Sequence, residues 1–84
     1  MGFQPGTILK IHPDYLATNE STDDRYMVLE DRGDRSLVQY CDVDGKMSLA
    51  STHVWPNFTF QVDTNPSSEV LDWRNKILGL PKYN

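Results

Sequence analysis

One cysteine, no long apolar run and a shortage of positive charge already narrow what this 84-residue chain can be. With Cys41 alone there is no internal disulfide, and a lone thiol fits a reducing compartment, with the cytoplasm as the default. Nothing approaches the ~20 consecutive apolar residues of a membrane span. The start, Met1-Gly2-Phe3-Gln4-Pro5, has neither the basic region nor the apolar stretch of a secretory signal, so a soluble, non-exported protein is expected. Eight Lys and Arg against twelve Asp and Glu give a net charge of −4. That balance is the opposite of the basic face that holds phosphate backbones, and no cluster of cations offers a polybasic membrane patch. Neither nucleic acid nor membrane is expected as a direct partner.

What is present suits one small domain spanning 1–84: 38% hydrophobic residues and 11% aromatics. Folding at this size hides only roughly 60–65% of the surface of the unfolded chain, so the core is small and a deep catalytic cleft is not expected. Acid is denser in the first half, where Asp14, Glu20, Asp23, Asp24, Glu30 and Asp31 stand against Arg25. Such a loop keeps a protein soluble and can also attract a basic partner.

Most of the chain has the pattern of short strands. Pro5-Gly6 is a turn signal before Thr7-Ile8-Leu9-Lys10-Ile11, which is β-rich and stopped at His12-Pro13 because proline cannot donate to a ladder. Residues 14–24 are polar, with Tyr15 and Leu16 as the only apolar anchors, which predicts a long surface loop pinned near its start. Arg25-Tyr26-Met27-Val28-Leu29-Glu30 and Ser36-Leu37-Val38-Gln39-Tyr40-Cys41 form a hairpin about Asp31-Arg32-Gly33-Asp34-Arg35, whose glycine permits a positive φ. A second turn is expected at Asp42-Val43-Asp44-Gly45, leading into Lys46-Met47-Ser48-Leu49. Ala50-Ser51-Thr52-His53-Val54-Trp55-Pro56 is too mixed to classify and suggests a bend or one helical turn. Phe58-Thr59-Phe60-Gln61-Val62 alternates apolar and polar as a half-buried strand does.

The C-terminal segment changes period. Asn65 or Ser67 can cap a helix, Pro66 suits its first position and Glu69 complements its dipole, after which Val70, Leu71, Trp73, Ile77 and Leu78 recur at helical spacing. Gly79 and Pro81 end it. Val70, Trp73 and Ile77 make the apolar face, and Asp72, Asn75 and Lys76 the polar one. So short a helix is marginal alone, so its apolar face is expected to dock on the rest of the domain or on a partner.

Five short strands punctuated by turns close most simply into a small antiparallel barrel that removes exposed edges. The run Pro5-Gly6-Thr7-Ile8-Leu9-Lys10-Ile11, the long acidic loop, then Tyr26-Met27-Val28-Leu29-Glu30 and a glycine turn resemble the opening of SH3-like small barrels such as Tudor-type and KOW-type domains, over most of residues 5–62. The resemblance implies fold rather than activity. Tyr15 has no neighbouring aromatic pair and Trp55 is not in a paired-Trp strand, so a proline-rich peptide groove is not implied. The expected architecture is mainly β: a five-stranded SH3-like antiparallel barrel over 5–62 with a C-terminal α-helix over 66–78.

Candidate chemistry is thin. Cys41 and His53 are the residue types of a thiolate nucleophile and its base, yet free cysteines in such chains are mostly inert apolar packers. His12-Pro13-Asp14 with His53 matches no metal spacing, and Asp42-x-Asp44-Gly45 lacks the later acids of a calcium loop. No catalytic group, metal or cofactor is expected. Arg32-Gly33-Asp34, Asn19-Glu20-Ser21 and Asn57-Phe58-Thr59 match adhesion and glycosylation tripeptides by composition alone. The aromatics are more telling. One of Tyr26 and Tyr40, one of Phe58 and Phe60, and Trp73 suffice for the core, which leaves Tyr15 and Trp55-Pro56 for a surface. The expectation is a non-catalytic protein-protein interaction module, an adaptor or small regulatory subunit. It would take a basic or extended segment of a protein partner against Tyr15, Trp55, Pro56 and the Asp23-Asp24 loop. The alternative is an acidic nucleic-acid mimic that inhibits a basic nucleic-acid-binding protein.

Overall fold

The computed structural model describes residues 2–15, 24–41 and 47–82, with the side chains of 47–51 left aside. Five strands form one open antiparallel sheet: β1 (Ile8–Ile11), β2 (Arg25–Asp31), β3 (Arg35–Cys41), β4 (Met47–Pro56) and β5 (Phe60–Val62), in the order β4-β3-β2-β1-β5. Among the described residues two single 3-10 turns interrupt the chain, Pro13–Tyr15 after β1 and Asn57–Thr59 before β5, and helix α1 (Ser68–Leu78) follows the last strand. Among the described residues no helix is long and apolar enough to cross a membrane.

Strand alternation sorts the side chains into two layers. Leu9, Ile11, Tyr26, Val28, Val38 and Phe60 pack on one side, with Phe3, Tyr40 and Trp55 against them. Ile8, Met27 and Cys41 face the other, where Val70 and Trp73 of α1 meet them together with Leu29, Leu71 and Ile77. The helix therefore docks on its own sheet. Its start is Ser67, which accepts from the Val70 amide at 3.3 Å, and its end is Gly79 in the left-handed region.

The β2–β3 hairpin lies where the sequence places it. Gly33 has φ 81, its amide donates to Asp31 Oδ1 at 2.9 Å, and the register runs from Arg25↔Cys41 to Asp31↔Ser36 with a bulge between Val28 and Glu30. Four expectations are corrected. Residues 50–56 are strand, not a bend or helical turn: β4 continues to Pro56 because Ser36 and Leu37 of β3 pair with Trp55 and Val54. β5 begins at Phe60 rather than Phe58, since Asn57 is captured by the β2–β3 turn. Its amide donates to Asp34 O at 2.9 Å, its Nδ2 to Gly33 O at 2.8 Å, and Ser36 Oγ donates to its Oδ1 at 2.6 Å. The helix begins at Ser68, two residues after Pro66. Asn75, assigned to the solvent face, is buried, and its Nδ2 donates to Pro81 O at 3.0 Å. The turn at residues 42–45 and the loop over 16–23 lie outside the described residues.

Candidate functional site

Two 3-10 turns carry the site. The first forms where Pro13 ends β1, with the Tyr15 amide donating to His12 O at 2.9 Å. The second is the turn that Asn57 fixes. The His12 amide donates to Thr59 O at 2.8 Å, which ties the two turns side by side. Their rings meet: Tyr15 and Phe58 are 5.3 Å apart and tilted by 49°, at 50% and 64% exposure. Rings this exposed contribute little to the core, so their hold on this position comes from backbone hydrogen bonds.

Beside the pair is a cleft of about 180 Å³ lined by Ile11, Tyr15, Trp55 and Thr59. Trp55 is its rigid wall. The indole stacks on His53 (4.4 Å, 11°) and packs against Tyr26 (5.6 Å, 68°) and Phe60 (5.9 Å, 31°). The row of rings continues from Tyr26 to Tyr40 at 5.4 Å, and the Tyr40 hydroxyl donates to Asp24 Oδ1 at 3.0 Å. One end of the aromatic row thus carries a carboxylate. In the Tyr15–Phe58 pair across the cleft, His12 contacts Tyr15 edge-on (6.0 Å), and the Asp14 amide donates to His12 Nδ1 at 3.2 Å.

Of the residues singled out by sequence, Tyr15 and Trp55 line the same cleft, and Pro56 leads directly into the turn that presents Phe58. Trp55 is half-buried rather than fully exposed, because the mixed segment before it is strand and turns the indole onto Tyr26 and Phe60. Asp24 joins through Tyr40, and Asp23 lies outside the described residues. Phe58, offered by sequence as one of two core candidates, belongs to the surface, and Phe60 is the buried one. Pro56-Asn57 is the signal for this, since proline and asparagine favour the successive central positions of a turn.

Cys41 and His53 are not brought together. The thiol is wholly buried on the helix side of the sheet, while His53 stacks on Trp55, which packs on the other. Among the described residues no group of three His, Cys, Asp or Glu side chains could hold a metal ion. Away from the cleft, Asp63 is displaced from its ordinary pKa. Burial would raise it, but the Arg25 hydrogen bond at 2.8 Å, the Asn65 amide at 3.0 Å and the charges of Arg25 and Lys10 outweigh burial and hold it below the usual 3.8. That pair joins the start of β2 to the end of β5. Comparison with family models, characterised proteins and solved structures finds no match for the chain.

Proposed function

We propose that this chain is a non-catalytic protein-interaction module, an adaptor or small regulatory subunit, which takes a basic or extended segment of a larger protein across the Tyr15–Phe58 surface. The observation that carries the reading is that exposed ring pair, fixed by backbone bonds beside the cleft of Ile11, Tyr15, Trp55 and Thr59. Rigid, exposed aromatics supply contact area at low entropic cost, which is how small domains anchor partners. Asp14 stands beside His12 at the Tyr15 pair and Asp24 at the Tyr40 end of the Trp55 row, with Asp23 next to Asp24 in the chain, and their charge suits a basic segment. The fold belongs to this reading as an SH3-like barrel, in which β5 returns from the far end of the β1–β4 meander to pair beside β1. Its compartment is the cytoplasm, in keeping with the single buried thiol.

Capture of the tagged chain's partners from its native cell, at low and high salt, tests this. A stoichiometric partner retained by the native chain, weakened by salt and lost with both Tyr15→Ser and Phe58→Ser is the expected result. Retention of that partner by both variants would refute the assignment of this surface.

A further inference from the structure

The C-terminal end of α1 leaves an apolar side chain, Leu80, half-exposed. Gly79, with φ 72, turns the chain back so that its amide donates to Lys76 O (3.4 Å) and the Leu80 amide to Asn75 O (2.8 Å). A turn of this kind ordinarily sets the residue after the glycine against an apolar side chain in the last helical turn. Here the positions that would supply it are Asn75 and Arg74. Asn75 is buried and hydrogen-bonded to Pro81 O, and its Oδ1 accepts from Arg74 Nε at 3.1 Å. Leu80 is therefore held in a defined place yet is 51% exposed, with Leu78 beside it at 40%.

Two clefts share Leu80. One, of about 310 Å³, lies between Leu78, Leu80, Arg74 and the Pro5-Gly6 turn. The other, of about 300 Å³, is bounded by Asp72, Lys76 and Lys82. Among the described residues, three cations line these clefts against one carboxylate, in a chain whose net charge is −4. None of these residues lines the cleft beside Trp55.

From this geometry we infer a second docking surface, centred on Leu80, whose occupant is an acidic segment of a partner protein with apolar side chains seated in the two clefts. Charge selects the occupant. A basic segment meets Arg74, Lys76 and Lys82 with like sign. A second copy paired about a two-fold axis sets the same three cations against themselves. An acidic segment is attracted, and its apolar residues cover the exposed half of Leu80. With the aromatic cleft taking basic segments, the chain presents two surfaces of opposite preference.

The test is selection from a random phage-displayed peptide library on the 84-residue chain, on Leu80→Ser, on the doubly charge-reversed Lys76→Glu/Lys82→Glu, and on Tyr15→Ser. All four altered side chains are exposed, so the variants are expected to fold. Expected are acidic peptides with bulky apolar residues that bind Leu80→Ser about fivefold or more weaker, the effect of burying the exposed half of one leucine. They lose affinity on charge reversal and bind Tyr15→Ser as they bind the native chain. Absence of any Leu80-dependent peptide, Leu80-dependent peptides that are basic, or a native dimer that Leu80→Ser makes monomeric in sedimentation would each overturn the inference. Peptides lost only with Tyr15→Ser report on the aromatic cleft, which separates the two readings.

Discussion

Replacing Asp63 by asparagine removes a charge from the join between β2 and β5 while keeping the side chain's shape. Asp63 Oδ2 accepts from Arg25 Nε at 2.8 Å and Oδ1 from the Asn65 amide at 3.0 Å, with side chains only 21% exposed for Arg25 and 10% for Asp63. The asparagine oxygen can satisfy one of those donors but not both, and removes the Asp63 charge from beside the largely buried guanidinium. Losses of this kind are of order 1–3 kcal/mol, which for a domain of this size lowers Tm by roughly 4–8 °C per kcal/mol. The pH dependence follows from the direction of the shift. Asp63 is held below its ordinary 3.8 in the folded chain, so the unfolded chain binds the proton more readily between the two values. The stabilisation is complete above the unfolded value and is lost as pH falls through the folded one. Urea unfolding followed by tryptophan fluorescence at about pH 7 and about pH 3 measures both effects. The native chain exceeds Asp63→Asn by about 1–3 kcal/mol near neutrality, and the gap narrows in acid. A gap of equal size at both pH values, or an asparagine variant as stable as the native chain at pH 7, would refute the assignment of the pair as a charge-dependent tie.

Three further outcomes are expected. Trp73 is 5% exposed and its buried Nε1 has no hydrogen-bond partner among the described residues, so Trp73→Phe, which removes that donor along with some area, changes stability by only about 1 kcal/mol in urea melts, whereas Trp73→Ala loses about 3–5 kcal/mol. Asn75→Ala removes the donor to Pro81 O and leaves that carbonyl unpaired, at about 1–2 kcal/mol by denaturation. It also speeds hydrogen exchange at the Leu80 amide. Ser67→Ala removes the acceptor for the Val70 amide and lowers stability by about 0.5–2 kcal/mol, with fraying at residues 68–70 visible by NMR.

Much of the fold is local and therefore legible in residue order. The β2–β3 hairpin needs a glycine free to take positive φ between two alternating strands, and Gly33 supplies it. Helix α1 needs a capping hydroxyl, an apolar stripe and a terminating glycine, all contained in residues 67–79. Where two residues were equivalent by pattern, the sequence left the choice open, and packing made it: Ser67 over Asn65 as the cap, and Phe60 over Phe58 in the core.

The site is less local. Residues 50–56 have no alternation that marks a strand, and they become one because β3 offers them a ladder. Phe58 turns outward because Asn57 finds three partners in the hairpin turn more than twenty residues earlier, a contact no short-range pattern contains. Asn75 has the sequence spacing of a solvent-facing residue, and is buried because the tail folds back over it. By itself, then, the sequence determined the strand-then-helix order, the hairpin, the helix limits to within two residues and the apolar face that docks α1, since each depends on neighbours along the chain. Only the tertiary structure decided that Tyr15, Phe58 and Trp55 share one surface and that Leu80 stands exposed among cations, because both depend on which distant backbone groups remain to be hydrogen-bonded once the sheet has formed.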